Sequence, residues 1–506
     1  MDSPALHQKL WISEDDTRTS LACPAGQSSC TDAPPGWLDC EDALCDTQLM
    51  KRNILTSALH GAAVYAFDLR LGGWFGKPAA AAAAVTVVAA SNTSTITSTS
   101  TNNTNATTTT AIWNAAASAR TAAAKIYNMS ADAPLLLQPE IAVFYDDTSF
   151  GHLRLNGVGT GLDYVAPGEG MEDLPSIITQ TGAPARHYHI SDLLLPSRAT
   201  TFASIKLALF PNAFVLDDEL RSAIAAFAND STKVLLFYYA PGIIDASTGS
   251  INVDGVRQLI GCPLLRGAGN HSMQTVFVPV VEEQHRHHQG KDKGKYHGSD
   301  GGTGDNDNNR MPNFTTVVGQ VYSNTVDGVA GPSSGPSGVL DPWLHLDEGD
   351  AATPNTNHSS SSSSSSSSET ECVVLGRYVD GNVEGTVPPA SLVWSQTRRI
   401  LFSSAPLPAA AFRLAAQAAG VHLYLDTTTD EQPTVLSGDG VEAAGVALLL
   451  RGGASSSGGF SKTVTLPHVA VVNDEGGNVL CKRCTVFNVT LGAGEVKLFY
   501  VTVTVP

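Results

Sequence analysis

The chain of 506 residues carries no long basic run, and its net charge is -18. Nucleic acid demands a Lys/Arg face toward its phosphates, so that class of partner is not expected. The acidic balance otherwise serves solubility. No stretch approaches ~18 uninterrupted apolar residues, so no spanning helix is expected. The alanine run Ala79 to Ala84 is short and leads into threonines. The opening residues, MDSPALHQKL, lack the apolar core of a secretory leader. Cysteine is scarce, with eight in the whole chain. Cys23, Cys30, Cys40 and Cys45 have irregular, loop-like gaps, whereas zinc wants short paired ones. Zinc, two disulfides and free thiols all stay open, zinc with the least support from spacing. Cys481 and Cys484 form a CxxC between strand patterns instead of opening a helix, and read as a hairpin turn with incidental thiols. No metal or cofactor is expected.

Hydrophobic residues make up 42% of the chain, enough for sizeable cores outside the low-complexity parts. Those parts are an Ala/Thr/Asn tract over 79–110, a His-, Lys- and Gly-rich stretch over 284–309, and a segment over 330–368 ending in polyserine. Each reads as a disordered insertion. His285, His287, His288 and His297 read as part of a solvated loop, because nothing ordered would fix them as ligands. Nine Asn-x-Ser/Thr triplets, at Asn92, Asn102, Asn105, Asn128, Asn229, Asn270, Asn313, Asn357 and Asn488, permit a secreted or vacuolar location without showing one.

The ordered stretches alternate. KLWIS predicts a strand that runs into Glu14, Asp15, Asp16 and Arg18. TQLMKRNILTSALHG predicts a helix by its apolar spacing, with Gly61 to end it. AAVYAFDL is nearly all apolar, the pattern of a parallel strand buried on both faces. A loop with Trp74 and Phe75 follows, and Ala111 to Met129 predicts a second helix. This is two βα units, a quarter of an eight-fold barrel. From Pro139, EIAVFYDD, ARHYHI, IKLALFPNAF, TKVLLFYYAPG, RRILFSSAPLP and VHLYLD predict strands. The helices LDDELRSAIAAFAND and AAAFRLAAQAAG fall among them, and the alternation implies a doubly wound parallel sheet. From about Thr427 everything reads as strand, a small antiparallel sandwich.

The stretches SEDDTRT, ALHGAAVYAFDLRLGGWF, LFPNAFVLDDELRSAI, VLLFYYAPG, VLGRYVDG and AGVHLYLD, in that order, resemble the family 42 β-galactosidases and their uncharacterised glycosidase-like relatives. The resemblance implies an α/β chain in three parts. Residues 1–130 would be the last two βα units of a TIM barrel, and 138–426 a flavodoxin-like domain. Residues 427–506 would be the β-sandwich. It implies retaining hydrolysis of β-galactosides or related polysaccharide, with Glu14 as nucleophile at the end of barrel strand seven. Asp15, Asp16 and Arg18 would support it, Arg18 by holding a neighbouring carboxylate ionised, and Asp68 and Trp74 would face the sugar. The acid/base would come from strand four as an Asn-Glu pair. Strands one to six are not in this sequence, so the chain is expected to be N-terminally truncated. The alternative is a non-catalytic protein that binds carbohydrate or assembles with other subunits. The flavodoxin-like part resembles class I glutamine amidotransferases in fold, and in the relatives it builds the oligomer, a trimer. Amidotransferase chemistry needs a Cys at the sharp turn after a central strand. That turn here reads Tyr239, Ala240, Pro241, Gly242.

Overall fold

A computed structural model of the chain describes residues 2–22, 39–40, 42–66, 75, 101–130, 137–152, 163–164, 174–266, 271–272, 275–277, 321–322, 339–341, 344–346, 372–378, 390–404, 407, 409–425, 440–444, 447–452, 460–492 and 494–503. These residues form a mixed α/β protein that divides into two compact units. One joins 1–138, 424–426 and 437–506; the other joins 139–423 and 427–436.

The first unit begins with a βαβ crossover. Strand β1 (Ile12–Asp15) pairs in parallel with β2 (Ala63–Ala66), and helix α1 (Ala43–Leu59) connects them. Asp42 caps α1 by accepting from the Cys45 amide, and Gly61 takes the left-handed backbone (φ 71) that turns the chain into β2. β2 is not buried on both faces as its composition predicts. Ala63, Tyr65 and Ala66 are exposed, because β1 is its only sheet neighbour among the described residues. Helix α2 spans Thr101–Ser130, so it starts inside the tract read as an insertion to 110. Ile112, Ala119, Ala122, Ala123 and Ile126 recur on one buried face and give the polar first turns something to extend from.

The carboxy-terminal strands are β10 (Gly440–Ala444), β11 (Ala447–Arg451), β12 (Phe460–Asp474), β13 (Val479–Leu491) and β14 (Val496–Val503). They form one antiparallel sheet in the order β10-β11-β14-β12-β13, a single layer where the pattern suggested a sandwich. One face of the sheet supplies Ala447, Leu449, Val496, Leu498 and Tyr500 to the core beneath α1 and α2. The amino- and carboxy-terminal parts, separate in the sequence reading, therefore share a core. Two exposed-edge βα units have apolar helix faces to cover, and this sheet covers them. The other face packs Leu448, Leu450, Val464, Val472, Phe499 and Val501 with Tyr424 and Leu425. VHLYLD is thus not a strand of the parallel sheet. Among its described residues it forms an isolated bridge, Leu425 to Val464. The hairpin turn between β12 and β13 is at Glu475–Asn478, so Cys481 and Cys484 lie within β13 and not in the turn.

The second unit is built on β3 (Ile141–Tyr145), α3 (Leu174–Gln180), β4 (Ala185–His189), β5 (Leu207–Phe210), α4 (Asp218–Ala228), β6 (Val234–Tyr238), α5 (Val253–Ile260), β7 (Cys372–Tyr378), β8 (Ala390–Ser395), β9 (Ile400–Ser403) and α6 (Ala409–Ala418). Strands β9, β6, β5, β3 and β4 lie side by side in that order, all parallel. Beyond β9, β8 and β7 continue the sheet antiparallel, and the short strands Thr275–Phe277 and Val321–Tyr322 follow. Numbered by chain position, the parallel strands run 2-1-3-4-5. One sheet face packs Val143, Leu209, Leu236, Leu401 and Phe412. The other is aromatic. Phe144 stacks on Phe210 at 5.3 Å and meets Phe202 edge-on at 5.3 Å.

Arg221 of α4 ties the loops at the strand ends. Its guanidinium donates to the carbonyls of Gly242, Gly255 and Leu216 at 2.8, 2.9 and 3.1 Å. A Cβ at Gly255 would fall 2.5 Å from the Gly242 oxygen, so this close approach requires glycine. The segment read as insertion over 330–368 holds two strands, Val339–Asp341 and Leu344–Leu346. The second pairs with Leu264–Arg266. The stretch 284–309 lies outside the described residues.

Candidate active site

Side chains alternate along a strand, and this alternation divides the carboxylates of SEDD. Glu14 is exposed on the face of β1 away from α1. Asp15 is buried on the opposite face, and Asp16, just past the strand end, is exposed. β1 thus extends through Glu14 to Asp15, two residues beyond KLWIS.

Glu14 lies opposite Tyr65 in the parallel register, and the Tyr65 hydroxyl donates to Glu14 Oε2 at 2.5 Å. The hydrogen bond to Glu14 holds the Tyr65 phenol above its ordinary value. Desolvation and the charge of Glu14 push the same way. Ionising the phenol would destroy a donor and set two anions side by side.

Asp15 is held from below. Its Oδ1 accepts from the Thr17 amide at 3.2 Å, the Thr17 hydroxyl at 2.6 Å and the Asn53 amide group of α1 at 3.1 Å. Its Oδ2 is buried with no hydrogen-bond partner. Asn53 also donates to the Thr17 hydroxyl at 2.9 Å. Asp15 therefore anchors the strand end to α1, and Glu14 points the other way. Arg18 has Asp39 beside it: the Arg18 amide donates to Asp39 Oδ2 at 2.6 Å and the guanidinium lies 3.9 Å from the same oxygen. Asp68 and Trp74 lie outside the described residues. Phe75, next to Trp74, is 1% exposed and belongs to the core under α1 and α2, edge-on to Trp113 at 6.4 Å.

Tyr65, Asn53 and Thr17 escaped the sequence reading. Tyr65 sits in a run whose composition says core. The signal that finds it is pairing: the residue opposite Glu14 on the next parallel strand shares its face.

Among its described residues the second unit has two other places where chemistry would be sought, and the side chains there are buried. In a 2-1-3-4-5 sheet a ligand would bind at the carboxyl ends of β3 and β5, where the strand order reverses. Here Asp146, Ser149 and Asn212 fill that point, each no more than 2% exposed. Asn212 donates to the Asp146 carbonyl at 2.7 Å and accepts from the Asp146 amide at 3.0 Å. The Ser149 hydroxyl donates to the Asp146 carboxylate and accepts from the Phe214 amide at 3.0 Å. The turn after β6 keeps a left-handed residue, Tyr239 (φ 62), as a sharp nucleophile turn would. Its occupant is a phenol with 0% exposure, packed edge-on to Phe214 at 5.5 Å, so no nucleophile is presented there.

Disulfides join Cys40 to Cys45, Cys262 to Cys372, and Cys481 to Cys484. Cys23 and Cys30 lie outside the described residues. Among the described residues no group of His, Cys, Asp and Glu could hold a metal ion, and no helix is long and apolar enough to cross a membrane.

No protein-family model matches the chain, and no curated protein matches it. Among solved structures it is similar to a β-galactosidase from Bacillus circulans sp. alkalophilus, at 11% identity and TM-score 0.45, over 78% of this chain and 45% of that one. It is similar to a β-galactosidase from Rahnella sp. R3 at 10% identity and TM-score 0.42, over 77% and 44%. A GH42 β-galactosidase from G. stearothermophilus gives 11% and 0.42, over 78% and 44%. The chain spans less than half the length of these neighbours. The chemistry has to come from the residues themselves.

Proposed function

We propose that the chain carries the closing βα portion of a β-galactosidase-type glycoside hydrolase, with Glu14 as the nucleophile of a retaining reaction on β-galactosides or related polysaccharide. The observation that carries this reading is the Glu14–Tyr65 pair. It places a carboxylate at the carboxyl end of a parallel strand, on the open face of a βαβ unit, with a neutral hydroxyl orienting one oxygen. Carboxyl ends of parallel strands converge on one mouth in a barrel. There the free oxygen of Glu14 would attack the anomeric carbon, and the phenol would stabilise the carboxylate as it leaves again. Asp15, turned toward α1, would position the strand and not attack. Asp16 and Arg18 would tune charge at the rim, and Asp68 and Trp74 would contact the sugar. A retaining reaction needs a second carboxyl about 5–5.5 Å away as acid/base. The resemblance puts that group on barrel strand four, so this chain alone is incomplete as a catalyst. The parallel sheet of the second unit is read as a flavodoxin-like domain that assembles a homo-oligomer, a trimer by resemblance. Its sealed switch point supports a structural role.

A second reading, assembly without catalysis, is favoured by the apolar residues on and before β1. Leu10, Trp11 and Ile12 are 77, 40 and 51% exposed.

The test joins the chain behind the first six βα units of a GH42 β-galactosidase. The pure chain should not turn over a nitrophenyl β-galactoside. The joined protein should, with retention of configuration. Glu14→Ala in the joined protein should lower turnover by orders of magnitude, with partial rescue by azide. Turnover by the pure chain, lost in Glu14→Gln, contradicts the incompleteness. Near-normal rates in the joined Glu14→Ala protein contradict the nucleophile assignment.

A further inference from the structure

Asn128, Asn229 and Asn488 are the sequon asparagines whose exposure is described, and all three are exposed. Asn488-Val489-Thr490 is the most informative. It lies in β13, the edge strand of the five-stranded sheet, so one side of its backbone has no strand beside it among the described residues. Alternation sends Phe487, Val489 and Leu491 into the core at 8, 7 and 2% exposure. Asn488 and Thr490 fall on the other face and are exposed. They line an open cleft of about 510 Å³, together with Gln48, Lys51 and Glu475. The Thr463 hydroxyl of the neighbouring strand donates to the Asn488 side-chain oxygen at 3.1 Å, which fixes the amide plane.

We propose that Asn488 is an N-glycosylation site. The donor is a lipid-diphosphate-linked oligosaccharide. The side-chain amide nitrogen attacks C1 of the first sugar, and a C–N bond forms as the C1–O bond to the diphosphate breaks. The electron pair leaves with the lipid diphosphate, and the nitrogen gives up one proton. The hydroxyl of Thr490 completes the acceptor triplet. An independent observation points to the compartment where that donor is found. Disulfides join three cysteine pairs among the described residues, and such bonds form and persist in oxidising compartments. The site also gives the glycan a physical task. β13 is an edge strand of 13 residues, with Val479, Leu480 and Val486 about half exposed at 51, 49 and 49%. Long apolar edges invite pairing with another chain. A bulky, hydrated chain rooted at Asn488, two residues from Val486, hinders pairing along that part of the edge.

The test uses the full chain isolated from the cells that make it, and the full chain secreted from a eukaryotic host behind a cleavable leader. Both are treated with peptide N-glycosidase in heavy-oxygen water, and the peptide containing residue 488 is sequenced by mass spectrometry. Isotope-tagged aspartate should appear at 488 in both preparations. In the secreted chain, Asn488→Gln and Thr490→Ala should each lose the mass of one glycan, and Thr490→Ser, which keeps the triplet, should retain it. An unmodified Asn488 in either preparation, or a glycan mass unchanged in both Asn488→Gln and Thr490→Ala, overturns the proposal.

Discussion

Strand β6, VLLFY, is buried at every position; strand β2, AVYA, is buried at none. Both are parallel strands of apolar composition, and the sequence gives little reason to tell them apart. The difference is in what lies beside them. β6 has parallel neighbours on both sides and packed side chains on both faces. Among the described residues β2 has β1 on one side only, and Ala63, Tyr65 and Ala66 are exposed. Burial decides what each region can do. In the second unit the polar groups where the strand order reverses are buried and bonded to one another, as the Asp146–Asn212–Ser149 knot shows. On the β1–β2 face a carboxylate and a phenol pair in the open. Chemistry needs access, so the exposed pair of strands is the one with room for it.

The largest expected effect tests the buried side of this comparison. Phe144 contacts four aromatic neighbours, Tyr188, Phe202, Phe210 and Phe227, and has 0% exposure. Phe144→Ala should destabilise the second unit by about 3–5 kcal/mol in urea unfolding, the range for deleting a buried aromatic ring. Ile12→Ala on β1 should change stability by less than about 0.5 kcal/mol. Equal effects would mean that the β1–β2 face is covered in solution.

A smaller effect tests the sealed switch point. Asn212→Ala leaves the amide and carbonyl of Asp146 buried and unpartnered. It should cost the upper part of about 1–3 kcal/mol. A neutral result would show that water or a ligand reaches this point, and would reopen the second unit as a binding site.

The parallel sheet was largely legible in the sequence because short apolar runs ending in Pro, Gly or Asp mark buried parallel strands. EIAVFYDD, TKVLLFYYAPG and RRILFSSAPLP each became one. The helix LDDELRSAIAAFAND formed over Asp218–Ala228, and the structure adds its cap, Asp217, which accepts from the Leu220 amide. Three things were not legible. Helix α5 is eight residues long, with too few turns for its periodicity to stand out. The pairing of α1 and α2 with a sheet more than 300 residues away leaves no local trace, because an amphipathic face says that it is covered and not by what. The open state of β2 is a property of its neighbours, and composition reports only the strand itself. Within the candidate site, Glu14 entered through the resemblance and a strand expected to end before it; the strand runs past it to Asp15. Tyr65 was not, because it became part of the site through parallel pairing alone.

The account rests most heavily on Glu14 and Tyr65 forming one unit on that open face, and the phenol reports it. A hydrogen bond to Glu14 raises the Tyr65 pKa above its ordinary 10.0. Removing the negative acceptor favours the ionised phenol, so Glu14→Gln should move the Tyr65 titration to lower pH, toward that value. The measurement is the pH dependence of the Tyr65 ring-carbon shift by NMR in selectively labelled chain, wild type against Glu14→Gln. Asp15→Asn serves as the control that should leave the Tyr65 midpoint nearly unmoved, since Asp15 faces α1. A midpoint that falls in Glu14→Gln and stays put in Asp15→Asn is the predicted result. A midpoint indifferent to Glu14, or one that follows Asp15, would contradict it.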